Sequence, residues 1–316
     1  MKNANLPKRT REYVNDTLDS RHWDHVNFRD DDIVVCTALK TGTTWMLRIL
    51  SLLIHQDLTV SSEVMKTPWP DYRLLASIEE EAKEMDQIAH RRFIKCHVPL
   101  DGIPYDENVK YIHVSRELHD AFFALQNHWE ILTEDNLATK DKYGEKPFPR
   151  FENAGDVHQR WHDWLTKSGG FGWEKDGYPF WSMFSYAESF WPYRKLPNVL
   201  LVHFTDLLTD LEGQMRRVAR FIGIEVPENM WADFAKAAHF DSMKKDLKIL
   251  QPKFDKMFKG GGDAFMDRVD GIWVDILTKE EDTAAYEARA GQLDPELRQW
   301  IEKGSLEIGY YPDGKK

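Results

Sequence analysis

Short runs of apolar residues alternate along the chain with longer stretches in which apolar residues recur every three or four positions. The short runs are rich in β-branched residues and predict buried strands at 33–36, 92–96, 111–114 and 199–204. The periodic stretches predict helices at 45–54, after Arg116 and through 207–221. Because strands that alternate with helices form a parallel sheet covered on both faces, we expect an α/β fold with a central parallel sheet flanked by helices.

Two segments depart from this pattern. Between 147 and 192, glycines lie among tryptophans such as Trp161, Trp164, Trp173, Trp181 and Trp191. We interpret this segment as helix and loop inserted across the open end of the sheet. Segment 251–273 is predicted to be a loop that contains glycine and lysine, ahead of a C-terminal helical tail. Since no internal repeat divides the chain, we expect one domain over 1–316.

Composition narrows the class of protein. The 316 residues carry a formal net charge of −11, which argues against a nucleic-acid-binding protein, because such proteins need a basic excess to neutralise phosphates. Hydrophobic residues at 42% and charged residues at 30% are typical of a globular protein with a large core. Two cysteines exclude a disulfide scaffold, and neither a signal peptide nor a transmembrane segment is evident. We therefore expect a cytoplasmic location.

The segment between the first strand and its helix, 37–45, has the chemistry of an anion-binding loop. A strand, a glycine turn and a helix N-terminus aim backbone N–H groups at one point, where the helix dipole adds partial positive charge. Lys40 adds a full charge, and the hydroxyls of Thr43 and Thr44 add donors. The segment is not a Walker A loop, because Lys40 precedes Gly42 and the first glycine of that motif is missing. The loop therefore predicts a phosphate or sulfate site.

Two further candidates also lie where predicted strands end, which is where parallel sheets bind ligands. Lys95 and His97 are two residues apart and point the same way in an extended strand, so an imidazole that titrates near neutral pH has an ammonium beside it. Arg116 follows the third strand and can bind phosphate with two parallel hydrogen bonds. His158 and His162 have a spacing that permits a metal site, but no third ligand accompanies them, and we expect a solvated helix face.

The loop sequence Lys40-Thr41-Gly42-Thr43-Thr44-Trp45 resembles the phosphosulfate-binding loop of the cytosolic-type sulfotransferases. The similarity continues through four more segments in the same order, and the pattern is closest to bacterial members, including those that act on glycolipids. The resemblance implies a P-loop-like nucleotide-binding fold and a sulfuryl donor, 3′-phosphoadenosine 5′-phosphosulfate (PAPS), used as a co-substrate without a metal. The acceptor would be an alcohol, a phenol or an amine.

The resemblance also implies roles for individual residues. His97 would be the general base, Lys40 would hold the leaving 5′-phosphate, and Lys95 would stabilise charge in the transition state. Arg116 would bind the 3′-phosphate. The remaining nucleotide contacts would come from the loop and from aromatic or basic side chains elsewhere: Thr41, Gly42, Thr43, Thr44, Trp45, Phe204, Phe240 and Arg268.

This chain departs from the family pattern in two places. The serine that normally follows the strand-end arginine by eight residues is Ala124 here, which removes a hydroxyl worth about 1–1.5 kcal/mol of binding free energy. The family's basic C-terminal loop, which covers the 3′-phosphate, is degenerate: either Arg268 or Lys259 could contact the nucleotide, and the sequence does not choose between them.

The tryptophans of segment 147–192 predict an acceptor pocket with an aromatic wall, since aromatic side chains often line sites for apolar ligands. We therefore expect a small-molecule or lipid acceptor with an apolar part, such as a phenol, a sterol-like alcohol or a lipid. A homodimer is compatible with the sequence. Two alternatives stay open: a nucleotide-binding protein of this fold with weak or lost catalysis, and a P-loop kinase, against which the position of Lys40 argues.

Overall fold

The fold is built on one parallel sheet. The structure, a computed structural model, describes residues 6–74, 77–142, 155–180, 182–267 and 270–316. Four strands form the sheet in the order β2-β1-β3-β4, and every pair is parallel. Their bounds are β1 Ile33–Thr37, β2 Phe93–Cys96, β3 Lys110–Ser115 and β4 Val199–His203. The expected α/β fold with a central parallel sheet is confirmed, with strand bounds within one residue of the prediction.

Helices cover both faces of the sheet because alternate strand residues point to opposite sides. Ile33 and Val35 of β1 pack in one apolar layer, and Val34 and Cys36 pack in the other. The helices are α1 Thr43–His55, α2 Ile78–Gln87, α3 Leu118–Glu130, α4 Glu134–Asp141, α5 Val157–Thr166, α6 Met183–Phe190, α7 Phe204–Thr209, α8 Leu211–Ile222, α9 Trp231–Ala238, α10 Phe240–Leu250, α11 Phe254–Met257, α12 Gly261–Phe265, α13 Trp273–Ile276, α14 Glu280–Ala290 and α15 Pro295–Ile308.

The first layer contains α1, α8, α9 and α10, and the second contains α3, α5, α6, α14 and α15. Both layers are apolar and fully covered, which explains why the strands read as continuous hydrophobic runs. Within the described ranges, every helix is too short or too polar to span a lipid bilayer.

Three local predictions are wrong in detail. The helix expected through 207–221 is two helices. Asp210 leaves the helical conformation (φ −145°, ψ 72°), and its carboxylate accepts a hydrogen bond from the backbone N–H of Gly213, which caps the start of α8. Phe204, expected at the end of the fourth strand, opens α7 instead. Segment 251–273, expected as a loop, contains the short helices α11 and α12.

Candidate active site

A cavity of about 530 Å³ lies where the carboxyl ends of the strands meet. Residues that follow all four strands line it, as expected for a parallel sheet. Of the predicted site residues, the structure brings the following together in its wall: Lys40, Gly42, Thr43, Thr44, Trp45, Lys95, His97, Arg116, Phe204 and Phe240. Ala124 also lines the cavity. Arg268 lies outside the described residues.

The loop after β1 turns sharply to start α1. Lys40 and Gly42 have positive φ angles of 65° and 117°. A side chain at Gly42 would be strained, because φ lies in the left-handed region and a Cβ atom would make tight contacts, 3.1 Å from a ring carbon of Phe204 and 3.2 Å from a methyl carbon of Val114. Among the described residues, no side chain caps the N-terminus of α1. The first N–H groups of this helix therefore remain available for an anion.

The threonines of the loop divide between shaping it and lining the cavity. The Thr41 hydroxyl donates to two carbonyl oxygens of the protein, those of Ala38 and Val114, each at 3.0 Å. Thr41 does not line the cavity. Its side chain therefore fixes the loop, and its backbone N–H is what remains for a ligand. The Thr43 hydroxyl lies 2.7 Å from that of Thr37, at the end of β1.

His97 is held in one orientation by Thr37. Its Nδ1 lies 2.7 Å from the Thr37 carbonyl oxygen and 3.1 Å from the Thr37 hydroxyl. Because a carbonyl oxygen only accepts, we assign the proton to Nδ1, which leaves the lone pair on Nε2. The side chain is buried, and burial together with the nearby Lys95 charge holds its pKa well below the usual range. The imidazole is therefore neutral at pH 7 and can accept a proton.

Asp71, which the sequence analysis missed, binds the backbone of His97. Its carboxylate accepts hydrogen bonds from the His97 backbone N–H at 2.9 Å and from the Trp69 indole at 3.1 Å. Burial raises the pKa of Asp71 to about 6. The Lys95 ammonium lies 3.4 Å from the centre of the Trp69 ring, and burial lowers the pKa of Lys95 to about 7. The side chains of Trp69, Lys95 and His97 thus share one wall of the cavity.

The two predicted phosphate-binding cations are both engaged by the C-terminal segment. Lys40 Nζ donates to the Phe265 carbonyl oxygen at 3.2 Å and lies 3.7 Å from the centre of that ring. Burial, with Arg116 and then Lys95, lowers the pKa of Lys40 to about 7. Arg116 forms an ion pair with Asp270 and donates to the Lys40 carbonyl oxygen at 3.0 Å. Its Nε is buried without a hydrogen-bond partner among the described residues.

The predicted base-stacking residues form an aromatic corner beside these cations. The Trp45 and Phe204 rings meet edge to face with centroids 5.1 Å apart, and the Trp45 indole donates to the Ala238 carbonyl oxygen at 2.8 Å. The Arg116 guanidinium lies 4.4 Å from the centre of the Phe204 ring. Lys259, the alternative to Arg268, points elsewhere: it pairs with Glu134 at 3.9 Å, is exposed, and does not line the cavity.

The expectation that tryptophans of segment 147–192 wall the cavity is wrong for Trp161, Trp164 and Trp191. All three are buried in the core, and the Trp161 indole donates to the Asp282 carbonyl oxygen at 3.1 Å. Trp173 is exposed on the surface, and Trp181 lies outside the described residues. Among the described residues of this segment, Phe180 is the aromatic residue that lines the cavity.

The histidines of α5 have separate partners. His158 Nδ1 lies 2.7 Å from an Asp282 carboxylate oxygen, and His162 Nδ1 lies 3.4 Å from the Thr166 hydroxyl. Across the described ranges, no group of three or more histidine, cysteine or acidic side chains has the arrangement of a metal site.

Comparison with known proteins identifies the family. A family model described as "Sulfotransferase domain" matches residues 30–269. A glycolipid sulfotransferase of Mycobacterium bovis is 29% identical over 318 residues, which cover 93% of this chain and 94% of the relative. The protein named Cytosolic sulfotransferase 1 from Danio rerio is 26% identical, and the match covers 72% of each chain.

Solved structures with the same fold include a mouse sulfotransferase complexed with PAP, at a TM-score of 0.62 and 17% identity over 89% of this chain and 93% of that one. Retinol dehydratase in a complex with retinol and PAP also has a TM-score of 0.62 and 17% identity, over 85% of each chain. At these identities the likeness establishes the fold alone. Because the family model spans most of the sequence, the chain belongs to the sulfotransferase domain family.

Proposed function

We propose that the protein transfers a sulfuryl group from PAPS to a hydroxyl acceptor that has an apolar part. The observation that carries the proposal is the hydrogen-bonded chain His97–Thr37–Thr43. It links the base to the first residue of α1, so that one residue at the end of β1 sets the distance between the proton acceptor and the anion loop. Such rigid positioning is what a proton transfer coupled to group transfer requires.

The residues present fit the donor. The uncapped N-terminus of α1 offers N–H groups to the 5′-phosphosulfate, and Lys40 lies in the same wall. Arg116 is buried beside the aromatic corner of Trp45 and Phe204, and its unpartnered Nε can donate to a phosphate oxygen. In this assignment the 3′-phosphate replaces Asp270 at Arg116. PAP is 3′-phosphoadenosine 5′-phosphate, which is PAPS without its sulfuryl group. The solved structures that contain PAP support the choice of nucleotide.

The reaction we propose is an in-line displacement. The acceptor oxygen forms a bond to sulfur while the bond from sulfur to the 5′-phosphate oxygen breaks, and its electron pair stays on the phosphate. The acceptor proton passes to Nε2 of His97. Lys40 and the first N–H groups of α1 stabilise the departing phosphate, and Lys95 stabilises the charge on the sulfuryl oxygens.

Apolar residues in the remaining cavity wall are suited to a hydrophobic part of the acceptor. They include Leu132, Phe180, Met257 and Phe258, which all lie away from the loop in sequence. A small-molecule or lipid acceptor fits this lining. A cytoplasmic site of action agrees with the name of the Danio rerio relative.

The alternative of a nucleotide-binding protein with weak catalysis is favoured by Ala124 and by the Arg116–Asp270 pair, both of which weaken the 3′-phosphate site. Two measurements distinguish sulfuryl transfer from nucleotide binding with weak catalysis and from a kinase. PAP should raise the melting temperature more than ATP with Mg²⁺ does. Labelled sulfate should pass from PAPS to a phenol, an alkyl alcohol or a glycolipid. Stabilisation by PAP without any transfer would support the binding protein, and stabilisation by ATP with Mg²⁺ alone would support a kinase.

A further inference from the structure

A short segment that carries Asp71 closes one edge of the sheet. β2 lies at this edge, so the backbone N–H groups on its outer side need acceptors from elsewhere in the chain. The Lys95 N–H donates to the Pro68 carbonyl oxygen at 2.9 Å. Just beyond the strand, the His97 N–H donates to the Asp71 carboxylate, also at 2.9 Å. The carboxylate thus takes the place of a strand carbonyl at the end of β2 that carries both residues.

Asp71 also holds the aromatic ring against which Lys95 lies. The oxygen that binds the His97 N–H, Oδ2, also accepts a hydrogen bond from the Trp69 indole at 3.1 Å. The Lys95 ammonium lies 3.4 Å from the centre of that ring. The His97 ring meets it edge to face with centroids 5.0 Å apart, and the Tyr72 ring stacks on it at 3.9 Å. One carboxylate oxygen therefore contributes to the placement of both the ammonium and the imidazole.

The charge of the Asp71 carboxylate acts on Lys95. The carboxylate is buried, and its second oxygen, Oδ1, has no hydrogen-bond partner among the described residues. Burying a carboxylate in this way is costly unless its charge interacts with a cation. Burial lowers the pKa of Lys95 to about 7, and the negative charge of Asp71 opposes that shift.

The other titratable groups around this pair are neutral or positive. Lys40 from the loop after β1 and His128 from α3 interact with the ammonium charge and disfavour it when they are protonated. The imidazole of His97 is neutral at pH 7. The Cys96 thiol and the Tyr186 phenol interact with the carboxylate, and burial raises the pKa of each, so that both stay uncharged. The negative charge that favours the ammonium therefore comes from the carboxylate.

We propose that Asp71 is a positioning residue for sulfuryl transfer, whose carboxylate holds Lys95 and His97 in place and whose charge keeps the Lys95 ammonium protonated. This inference rests on the proposed function. Lys95 can stabilise charge on the sulfuryl oxygens only as an ammonium. Loss of the Asp71 charge therefore weakens transfer while the base and the anion loop stay intact.

Asp71→Asn separates the charge from the hydrogen bonds. Both bonds fall on one carboxylate oxygen, so the amide oxygen can accept both while the charge is lost. We compare kcat/KM for labelled PAPS in the unaltered protein and the variant, with 4-octylphenol as acceptor. Their ratio should be about one at about pH 5 and rise to about tenfold by about pH 8, because a neighbouring opposite charge moves a pKa by about one pH unit or more.

The pH dependence of this ratio distinguishes the charge from a merely structural role. Asp71 has a pKa of about 6, so below that pH it is neutral in the unaltered protein, as the amide is in the variant. Above about pH 7 the charged Asp71 keeps a larger fraction of Lys95 protonated than the amide does. Lys40 titrates in both proteins, so its effect largely cancels in the ratio.

A second measurement needs no transfer. The pKa of Lys95, read from the NMR chemical shift of its Cε atom and assigned with Lys95→Met, should be lower in Asp71→Asn. The interaction is reciprocal, so Lys95→Met should raise the pKa of Asp71, read from its Cγ shift. Asp282→Asn is the matched control, because Asp282 is also buried and accepts from a backbone N–H, that of Lys279, but pairs with His158. It should change neither the Lys95 pKa nor the pH profile.

The outcomes separate the two proposals. An unchanged Lys95 pKa in Asp71→Asn, or a loss of transfer that is equal at every pH, would overturn the inference and leave the proposed function standing. If the unaltered protein transferred sulfate to no hydroxyl compound, the proposed function would fail, and the role of Asp71 in transfer with it. A lower Lys95 pKa together with a ratio that grows as pH rises, both absent in Asp282→Asn, is the expected result.

Discussion

The Arg116–Asp270 ion pair makes a prediction about nucleotide affinity. If the 3′-phosphate replaces Asp270 at Arg116, the carboxylate competes with the nucleotide, and Asp270→Asn should bind PAP more tightly. The two side chains are 7% and 17% exposed, so solvent screens their attraction only weakly. A charge-assisted hydrogen bond exceeds a neutral one by about 1–1.5 kcal/mol, which corresponds to about five- to thirteenfold in affinity.

Isothermal titration calorimetry with PAP measures this change in affinity directly. Asp267→Asn is the matched control, because Asp267 lies in the same segment and its pair with Lys244 is exposed. The control should bind PAP as the unaltered protein does. The free Asp270→Asn protein should melt at a lower temperature, since a buried guanidinium loses its charge partner. An Asp270→Asn protein that binds PAP equally well or less well would refute the idea that carboxylate and phosphate compete.

Three further changes test other parts of the site. Gly42→Ala should destabilise the protein by about 1–3 kcal/mol and weaken PAP binding, because an alanine is strained at φ 117° and its Cβ contacts Phe204. Urea unfolding would measure the stability and titration calorimetry the affinity; wild-type values of both would contradict the loop geometry. Between pH 7.5 and 9, PAP affinity should fall as pH rises, because Lys40 has a pKa of about 7 and binds phosphate when it is protonated; a constant affinity over this range would count against its role. Trp161→Phe should lower the free energy of unfolding by about 1–3 kcal/mol, because the indole hydrogen bond and part of the core volume are lost. The KM for the acceptor should not change; a raised KM would show that Trp161 contributes to the acceptor pocket.

Much of the fold could be predicted because its signals are local. The apolar runs at 33–36 and 111–114 are strands within one residue, and parallel pairing follows from the helices between them. That the main candidate residues line one cavity was predictable for the same reason. Lys40, His97 and Arg116 each follow a strand, and the carboxyl ends of parallel strands converge on one edge of the sheet.

What could not be predicted depends on contacts between distant parts of the chain. Asp71 lies in a segment without hydrophobic periodicity, and its bond to the His97 N–H exists only once the chain is folded. Asp270 pairs with Arg116 although the two residues are 154 positions apart in the sequence. The prediction that the tryptophans line the pocket failed for a different reason. Their bulk suits a core as well as a pocket wall, and hydrophobicity alone does not distinguish the two.

The central claim is that His97 accepts the proton of the acceptor while the loop at Lys40 holds the donor. Single-turnover transfer by His97→Ala, loaded with labelled PAPS, tests it most directly. The rate should fall about 100- to 10 000-fold with PAP affinity unchanged, because the base is lost and the anion loop is retained. A variant that transfers sulfate at nearly the original rate, or one that loses PAP binding along with transfer, would contradict the account.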